Sequence, residues 1–306
     1  MPELPEVETI VGDLNKKIVG KTIKKVWFDA PRMIKYPKDV KVFERDIKNL
    51  KILKVARRAK YIKMLLDGDR ALLIHPKMTG HILLGHWSDR GESSKSKTQN
   101  PKKKRKWISK DGGALEDNVN SYIHFVFYLD DGSMMAMSDV RKFGTLRLGK
   151  LKEIENLKEI KSLGPEPLEP SFKVDKFISL ISSKKRKIKQ VLMDPAVIVG
   201  IGNIYSDEVL WDAGIHPLTP ANKISKKKLK TLFDSIQKIL KKSIKLRGTS
   251  MSDYRDTNGE KGGYYADRLV YHREGEGCLR CGAIIKRIKI GGRSAHYCSK
   301  CQKIRV

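Results

Sequence analysis

The chain predicts an α+β fold, with a strand-rich first half, a helical second half and a small cysteine-bearing tail. Three observations lead there. Ile123, Phe125, Phe127 and Leu129 alternate with their neighbours, which is the period of a strand with one face turned to a core. Leu229, Leu232, Phe233, Ile236, Leu240 and Ile244 recur at helical spacing, with lysines on the opposite faces. Between these two patterns, Gly164-Pro165-Glu166-Pro167-Leu168-Glu169-Pro170 is too rich in proline for a helix or a central strand, so a hinge belongs there.

In chain order, Ile10, Val11, Leu14 and Ile18 share one helical face, which places Pro2 and Glu3 just ahead of a helix N-terminus. Strand-forming runs follow at Thr22–Phe28, Lys51–Leu66, Ala71–His75 and Tyr122–Leu129, and Asp130-Asp131-Gly132-Ser133 supplies a turn. A polar stretch between Trp87 and Tyr122 carries Ser93-Ser94-Lys95-Ser96-Lys97 and Lys102-Lys103-Lys104-Arg105-Lys106. Its composition predicts a loosely held, solvated loop. Past the hinge, a basic helix at Lys184–Met193 leads through Gly200-Ile201-Gly202-Asn203 to a second helix near Tyr205–Trp211, and Ser225 suits the cap of the long helix after it. The division is therefore 1–162, a hinge at 163–171, a helical domain at 172–270 and a tail at 271–306.

Lys and Arg number 64 against 35 Asp and Glu, a net charge of +29, which solubility does not require. A polyanionic partner is the natural inference, and charge alone leaves DNA, RNA, a ribosome, an anionic membrane surface and plain solvated charge open. A run of about 18 apolar residues is missing and the first residues lack the order of a secretory signal, so a soluble cytoplasmic protein is expected. All four cysteines lie near the end, as Cys278-x2-Cys281 and Cys298-x2-Cys301 with sixteen residues between the pairs. That spacing predicts one zinc ion; two disulfides are the alternative. Four thiolate ligands close the coordination shell, so the zinc would be structural.

The opening Met-Pro-Glu-Leu-Pro-Glu-Val-Glu admits two readings. Prolines and acids suit a first helical turn. Equally, removal of Met1 leaves Pro2 as a secondary amine, a nucleophile able to form an iminium, with Glu3 and Glu6 beside it to move protons.

This opening, together with Arg57-Arg58-Ala59-Lys60-Tyr61, His75-Pro76-Lys77-Met78-Thr79-Gly80, Asp139-Val140-Arg141-Lys142-Phe143-Gly144, Gly200-Ile201-Gly202-Asn203-Ile204-Tyr205 and Gly291-Gly292-Arg293-Ser294-Ala295-His296-Tyr297-Cys298, resembles the formamidopyrimidine-DNA glycosylase family. The resemblance spans nearly the whole chain. It implies an N-terminal β-sandwich flanked by helices, then a helix-two-turn-helix domain with a zinc ribbon, and double-stranded DNA held in the basic cleft between them. It also implies a monomer, associated with the nucleoid through DNA, that needs no redox or nucleotide cofactor.

By that resemblance Pro2 is the nucleophile, Glu3 the acid that opens the sugar, Glu6 a support for the amine, and Lys60 an electrostatic partner of the phosphate and lesion. His75, Asn203 and Arg293 become phosphate contacts. Met78, Arg141 and Phe143 become the wedge that fills the space left by an everted base. Read without the resemblance, Lys60 is a solvent-facing strand lysine, Asn203 a helix cap, Arg293 one more exposed charge, Met78 and Phe143 core residues and His75 a structural histidine. The two glycines before Asn203 would let backbone approach a phosphate closely.

Residues Gly248–Arg268, with Thr249, Ser250, Met251, Ser252, Asp253 and Tyr254, resemble the family's loop over an everted purine; a plain tether is the alternative. Endonuclease VIII-type relatives generally lack that loop and have Gly where this chain has Leu4, so oxidised purines such as 8-oxoguanine and formamidopyrimidines are the expected substrates, with β,δ-elimination at the abasic site. Pro76, where relatives more often carry Leu, Ala295 in place of Thr, and the lysine-rich insertion depart from the pattern. An endonuclease VIII-like enzyme for oxidised pyrimidines and a non-catalytic zinc-ribbon nucleic-acid-binding protein are the competing readings.

Overall fold

The computed structural model describes residues 1–89 and 107–304. The chain packs as two compact units. Met1–Pro2, Glu6–Leu157 and Arg247–Gly262 form the first, and Glu3–Pro5, Lys158–Leu246 and Gly263–Val306 the second.

The first unit is built on strands β1 (Thr22–Phe28), β2 (Ile34–Tyr36), β3 (Leu50–Arg58), β4 (Tyr61–Leu66), β5 (Arg70–His75), β6 (His81–Gly85), β7 (Trp87–Asp89), β8 (Trp107–Ser109), β9 (Ile123–Leu129), β10 (Met134–Ser138) and β11 (Thr145–Lys150). Nine of them run in the hydrogen-bonded order β2-β11-β5-β4-β3-β1-β9-β10-β6. The β1–β3 ladder is short, Thr22 opposite Lys51 and Ile23 opposite Leu50, and the sheet folds over there into two layers. Ile62, Met64, Leu72, Ile74 and Leu146 from one layer and Val26, Phe125, Phe127, Met135 and Met137 from the other close a single core. Each is withdrawn from water, and burial of such side chains contributes about 1.5–3 kcal/mol apiece.

The opening helix, Leu4–Lys17, adds Val7, Ile10, Val11 and Leu14 to that core, the face its spacing predicts, and Ile18 joins them from the turn just past its end. The expected strand at Lys51–Leu66 is two strands. Ala59 turns the chain with φ at +53°, and no glycine, proline or asparagine marks that turn in the sequence.

Of the lysine-rich stretch, Ser93–Lys97 and Lys102–Lys106 lie outside the described residues. Its flanks are not the loose loop that composition predicts. Trp87 and Trp107, both buried, anchor a β7–β8 pair, and short 3₁₀ turns at Gly113–Glu116 and Asn118–Ser121 follow. The polar count hid these apolar anchors.

The second unit contains helices Val174–Ser182, Ile188–Leu192, Asn203–Asp212 and Lys226–Lys245, and the long last one packs on the first and third. Ser225 caps it, accepting the Lys228 N–H. The basic helix predicted over Lys184–Met193 is shorter, only Ile188–Leu192. The tail is a hairpin of β12 (Ile285–Ile290) and β13 (Arg293–Cys298), with Ile290 opposite Arg293. Its two-residue turn, Gly291-Gly292, has both φ angles positive, which fits the twist of a tight hairpin. Among the described residues no helix is long and apolar enough to cross a membrane.

Candidate active site

In the second unit the start of the chain is bound at a helix N-terminus. Helix Asn203–Asp212 leaves its first N–H groups without partners in its own turns. The buried Glu3 carboxylate takes them: Oε2 accepts from Gly202 at 2.6 Å and Tyr205 at 3.3 Å, and Oε1 from Ile204 at 2.9 Å. The Leu4 N–H donates to Gly200 O at 2.9 Å. A Cβ on Gly202 would lie 2.4 Å from Glu3 Cδ, and one on Gly200, where φ is +85°, would lie 2.6 Å from Leu4 Cβ. The close backbone approach that these glycines allow is thus to the chain's own first residues. This corrects the expectation that they make room for a phosphate.

Asn203 is not the helix cap that local reasoning favours, because Gly202 is the N-cap and Glu3 occupies the amides. Instead Asn203 Nδ2 donates to the Tyr271 hydroxyl at 3.3 Å, and its Oδ1 is buried without a partner among the described residues. Tyr271 gave no signal in the sequence. Two acids of the same helix organise what surrounds it. Glu208, fully buried, accepts the N–H groups of Leu269, Val270 and Tyr271. Asp207, also buried, binds Lys189 Nζ at 2.5 Å and the His296 N–H at 2.8 Å, which ties the helix to β13. Arg293 is exposed at the start of that strand.

The four cysteine Sγ atoms all lie within 4.8 Å of one another. Cys278 and Cys301 are 3.9 Å apart, Cys281 and Cys298 3.5 Å, and Cys281 and Cys301 3.4 Å. A disulfide would need about 2.05 Å, whereas the edge of a tetrahedron with 2.3 Å zinc–sulfur bonds is roughly 3.8 Å. The spacing fits a metal and excludes the disulfide reading. N–H groups of Arg280 and Cys301 point at Cys278 and Cys298 sulfurs, as suits thiolates.

In the first unit Pro2 and Glu6 are buried. Glu6 Oε1 accepts the Thr249 N–H at 2.7 Å, and a Cβ on Gly248 would lie 2.8 Å from Glu6 Cγ. Of the six residues expected in the lesion cap, Thr249 and Tyr254 are buried anchors. Tyr254 belongs to the main core and its hydroxyl donates to Arg247 O at 3.2 Å. Arg247 binds Asp13 and Asp256, and Thr257 Oγ1 donates to Asp13 at 2.7 Å. Only Ser250, Met251, Ser252 and Asp253 stay at or near the surface.

Lys60 is half-buried in the β3–β4 turn. Beside it, the His75 ring packs edge-on to Tyr61 at 4.4 Å and its Nδ1 accepts the Lys77 N–H at 2.9 Å. Burial, with the charges of Lys77, Lys60 and Arg147, holds His75 down to about 3, so the ring is neutral and Nε2 carries the proton.

The two loops of the expected wedge are held by one carboxylate. Asp139, fully buried, accepts the Thr79 hydroxyl, the Arg141 N–H at 3.2 Å and the Gly144 N–H at 2.7 Å. Thr79 Oγ1 in turn accepts the Arg141 N–H at 3.1 Å. Lys77 and Lys142 have φ near +55°, a strained region for residues with side chains, one in each loop. Met78 and Phe143 are 38% and 54% exposed, which rules out the core reading for both, and Arg141 Nη1 lies 3.4 Å from Met78 Sδ. Met78 and Arg141 are therefore brought together.

Comparison with known proteins accounts for these modules. The family model described as the formamidopyrimidine-DNA glycosylase N-terminal domain matches residues 1–146, the formamidopyrimidine-DNA glycosylase H2TH domain matches 163–255, and the zinc finger found in FPG and IleRS matches 275–304. A sheet domain, an H2TH domain and a zinc finger in this order define a class of DNA glycosylases. The chain belongs to the formamidopyrimidine-DNA glycosylase family. It is 37% identical to the formamidopyrimidine-DNA glycosylase of Heliobacterium modesticaldum over 99% of this chain and 100% of that one, and 36% identical to that of Herpetosiphon aurantiacus over the same shares. Among solved structures, the Lactococcus lactis enzyme bound to abasic-site DNA has a TM-score of 0.81 at 32% identity, covering 98% of this chain and 99% of that one. The same enzyme in complex with Fapy-dG-containing DNA has a TM-score of 0.80, covering 98% of this chain and 100% of that one.

Proposed function

We propose that the chain excises oxidised purines, 8-oxoguanine and formamidopyrimidines, from duplex DNA and then cleaves the abasic site. The carrying observation is the binding of Glu3 by three helix N-terminal amides, which fixes the residue next to Pro2 in a buried place. A pure DNA binder has no chemical use for that arrangement.

Once Met1 is removed, the Pro2 amine attacks the sugar C1′ and the damaged base leaves. Glu3 protonates the ring oxygen to open the sugar, and Glu6 supports the amine and the proton network. The product is a Schiff base whose iminium acidifies the C2′ proton, so β- and then δ-elimination follow and leave a one-nucleotide gap with phosphates on both ends. Lys60 pairs with phosphate and lesion and orients the sugar towards the amine. Neutral His75 donates its Nε2–H to a phosphate, and Asn203 and Arg293 hold others. Met78, Arg141 and Phe143 fill the space of the everted base, and Ser250–Asp253 covers the base itself. The 163–171 segment serves as the hinge.

One zinc ion bound by Cys278, Cys281, Cys298 and Cys301 supplies structural closure of the ribbon and no chemistry. The protein acts as a soluble monomer on cytoplasmic, nucleoid DNA. Incubation with 8-oxoguanine opposite cytosine, or with an oxidised pyrimidine, followed by borohydride, tests the assignment. An adduct on Pro2 mainly with the purine supports it. A preference for the pyrimidine moves the chain to the endonuclease VIII-type side.

A further inference from the structure

At the C-terminal end of helix Asn203–Asp212 the second unit has a cavity of about 400 Å³ lined by His216, Thr219, Lys223, Lys228, Lys300 and Lys303, and Cys301 of the cysteine cluster forms part of its wall. No carboxylate lines it. None of its four lysines has an ion-pair partner among the described residues; Lys228 Nζ makes one bond, to Ala213 O at 3.1 Å. All four are exposed, so water screens their mutual repulsion, and an anion seated in the hollow would meet four positive charges. The 20-residue helix Lys226–Lys245 starts here, and its dipole adds positive potential to the same place.

An independent feature is His216. It is 94% buried, and its Nδ1 accepts the Leu218 N–H at 3.2 Å, which leaves the proton of the neutral ring on Nε2. That Nε2 has no hydrogen-bond partner among the described residues. The ring is fixed edge-on against Tyr297 at 4.5 Å, so it cannot turn freely to find one. The wall is firm as well, because Gln302 Nε2 donates to Ile215 O and its Oε1 accepts the Cys298 N–H, clamping the ribbon to this side of the cavity.

We infer that this cavity is a phosphate-binding site, in which Lys223, Lys228, Lys300 and Lys303 supply charge and His216 Nε2–H a directed donor. It is separate from the Asn203 position, since the ten-residue helix between them spans roughly 15 Å. The phosphate group has two possible sources, a DNA backbone phosphodiester outside the lesion contacts or a free polyphosphate.

The test is lysine acylation read by mass spectrometry on the zinc-loaded full chain, with inorganic pyrophosphate as probe. Lys226 and Lys227, exposed on the same helix but outside the cavity lining, are internal controls. At ten times its dissociation constant, pyrophosphate should slow acylation of the four lining lysines roughly tenfold and leave the controls unchanged. In the double variant Lys223→Gln/Lys303→Gln the protection of Lys228 and Lys300 should fall at least about threefold. Equal protection of the controls, absence of protection, or protection undiminished in the variant would overturn the site. An undamaged duplex that protects the same four lysines identifies the phosphodiester as the source, whereas protection by pyrophosphate alone identifies a free polyphosphate.

Discussion

Glu3 and Gly202, 199 positions apart, are joined by a 2.6 Å hydrogen bond from the Gly202 N–H to Glu3 Oε2, and Gly202 has no room for a side chain because Glu3 Cδ fills that space. On the proposed mechanism Glu3 protonates one atom of a sugar, a task that needs its place fixed to a fraction of an ångström. The helix N-terminus supplies that fixation.

Gly202→Ala should therefore displace Glu3 and reduce single-turnover excision by about 100-fold or more, the usual consequence of a misplacement near 1 Å. Binding to an uncleavable abasic analogue should change far less. Comparable losses in rate and binding would mean that the glycine serves the fold and not the acid.

Asp139→Ala should leave the buried Gly144 N–H without its acceptor and take from the Arg141 N–H one of its two acceptors, Thr79 Oγ1 being the other, at a cost of about 1–3 kcal/mol. Thermal or urea unfolding reads that cost. The loops carrying Met78, Arg141 and Phe143 then lose their common tie, so excision from duplex should slow more than cleavage at a preformed abasic site, where no base has to be everted.

His75 links stability to pH. Its folded pKa, held down to about 3, lies below the ordinary 6.5, so the unfolded chain binds the extra proton first. Its contribution is present above about pH 6.5 and is lost as pH falls towards 3, at up to about 1.4 kcal/mol per pH unit. Urea unfolding at pH 5 and pH 7 should show a smaller difference for His75→Gln than for the parent chain. An unchanged difference would place the protonating group elsewhere.

Deleting the surface tip, Ser250–Asp253, should lower excision of 8-oxoguanine about tenfold and leave cleavage of an abasic site intact, because on the proposed reading the tip covers a base that the abasic substrate lacks. Thr249 and Tyr254 should be kept, since both are buried anchors. Equal losses on the two substrates would point to a structural role for the tip.

Patterns of one element were legible in the sequence, and relationships between distant elements were not. The strand at Ile123–Leu129, which is buried on both faces and not only on the one its alternation predicts, the helical face from Leu229 to Leu240, the Ser225 cap and the paired cysteines each depend on neighbours a few positions away. The tie of Asp139 to Thr79, the bond of Asn203 to Tyr271 and the seat of Glu3 each join residues at least 60 positions apart. No local spacing encodes them. The Ala59 turn and the Trp87–Trp107 pair were missed for a different reason: a left-handed alanine and two isolated tryptophans carry no compositional signal.

The most direct test of the account is borohydride trapping with a duplex carrying 8-oxoguanine opposite cytosine, combined with mass spectrometry of the chain's first peptide. The account predicts a covalent adduct on the Pro2 nitrogen of Met1-free protein, abolished by Pro2→Gly or by retention of Met1. An adduct on any lysine in place of Pro2, or none from Met1-free protein that binds the duplex, would contradict it.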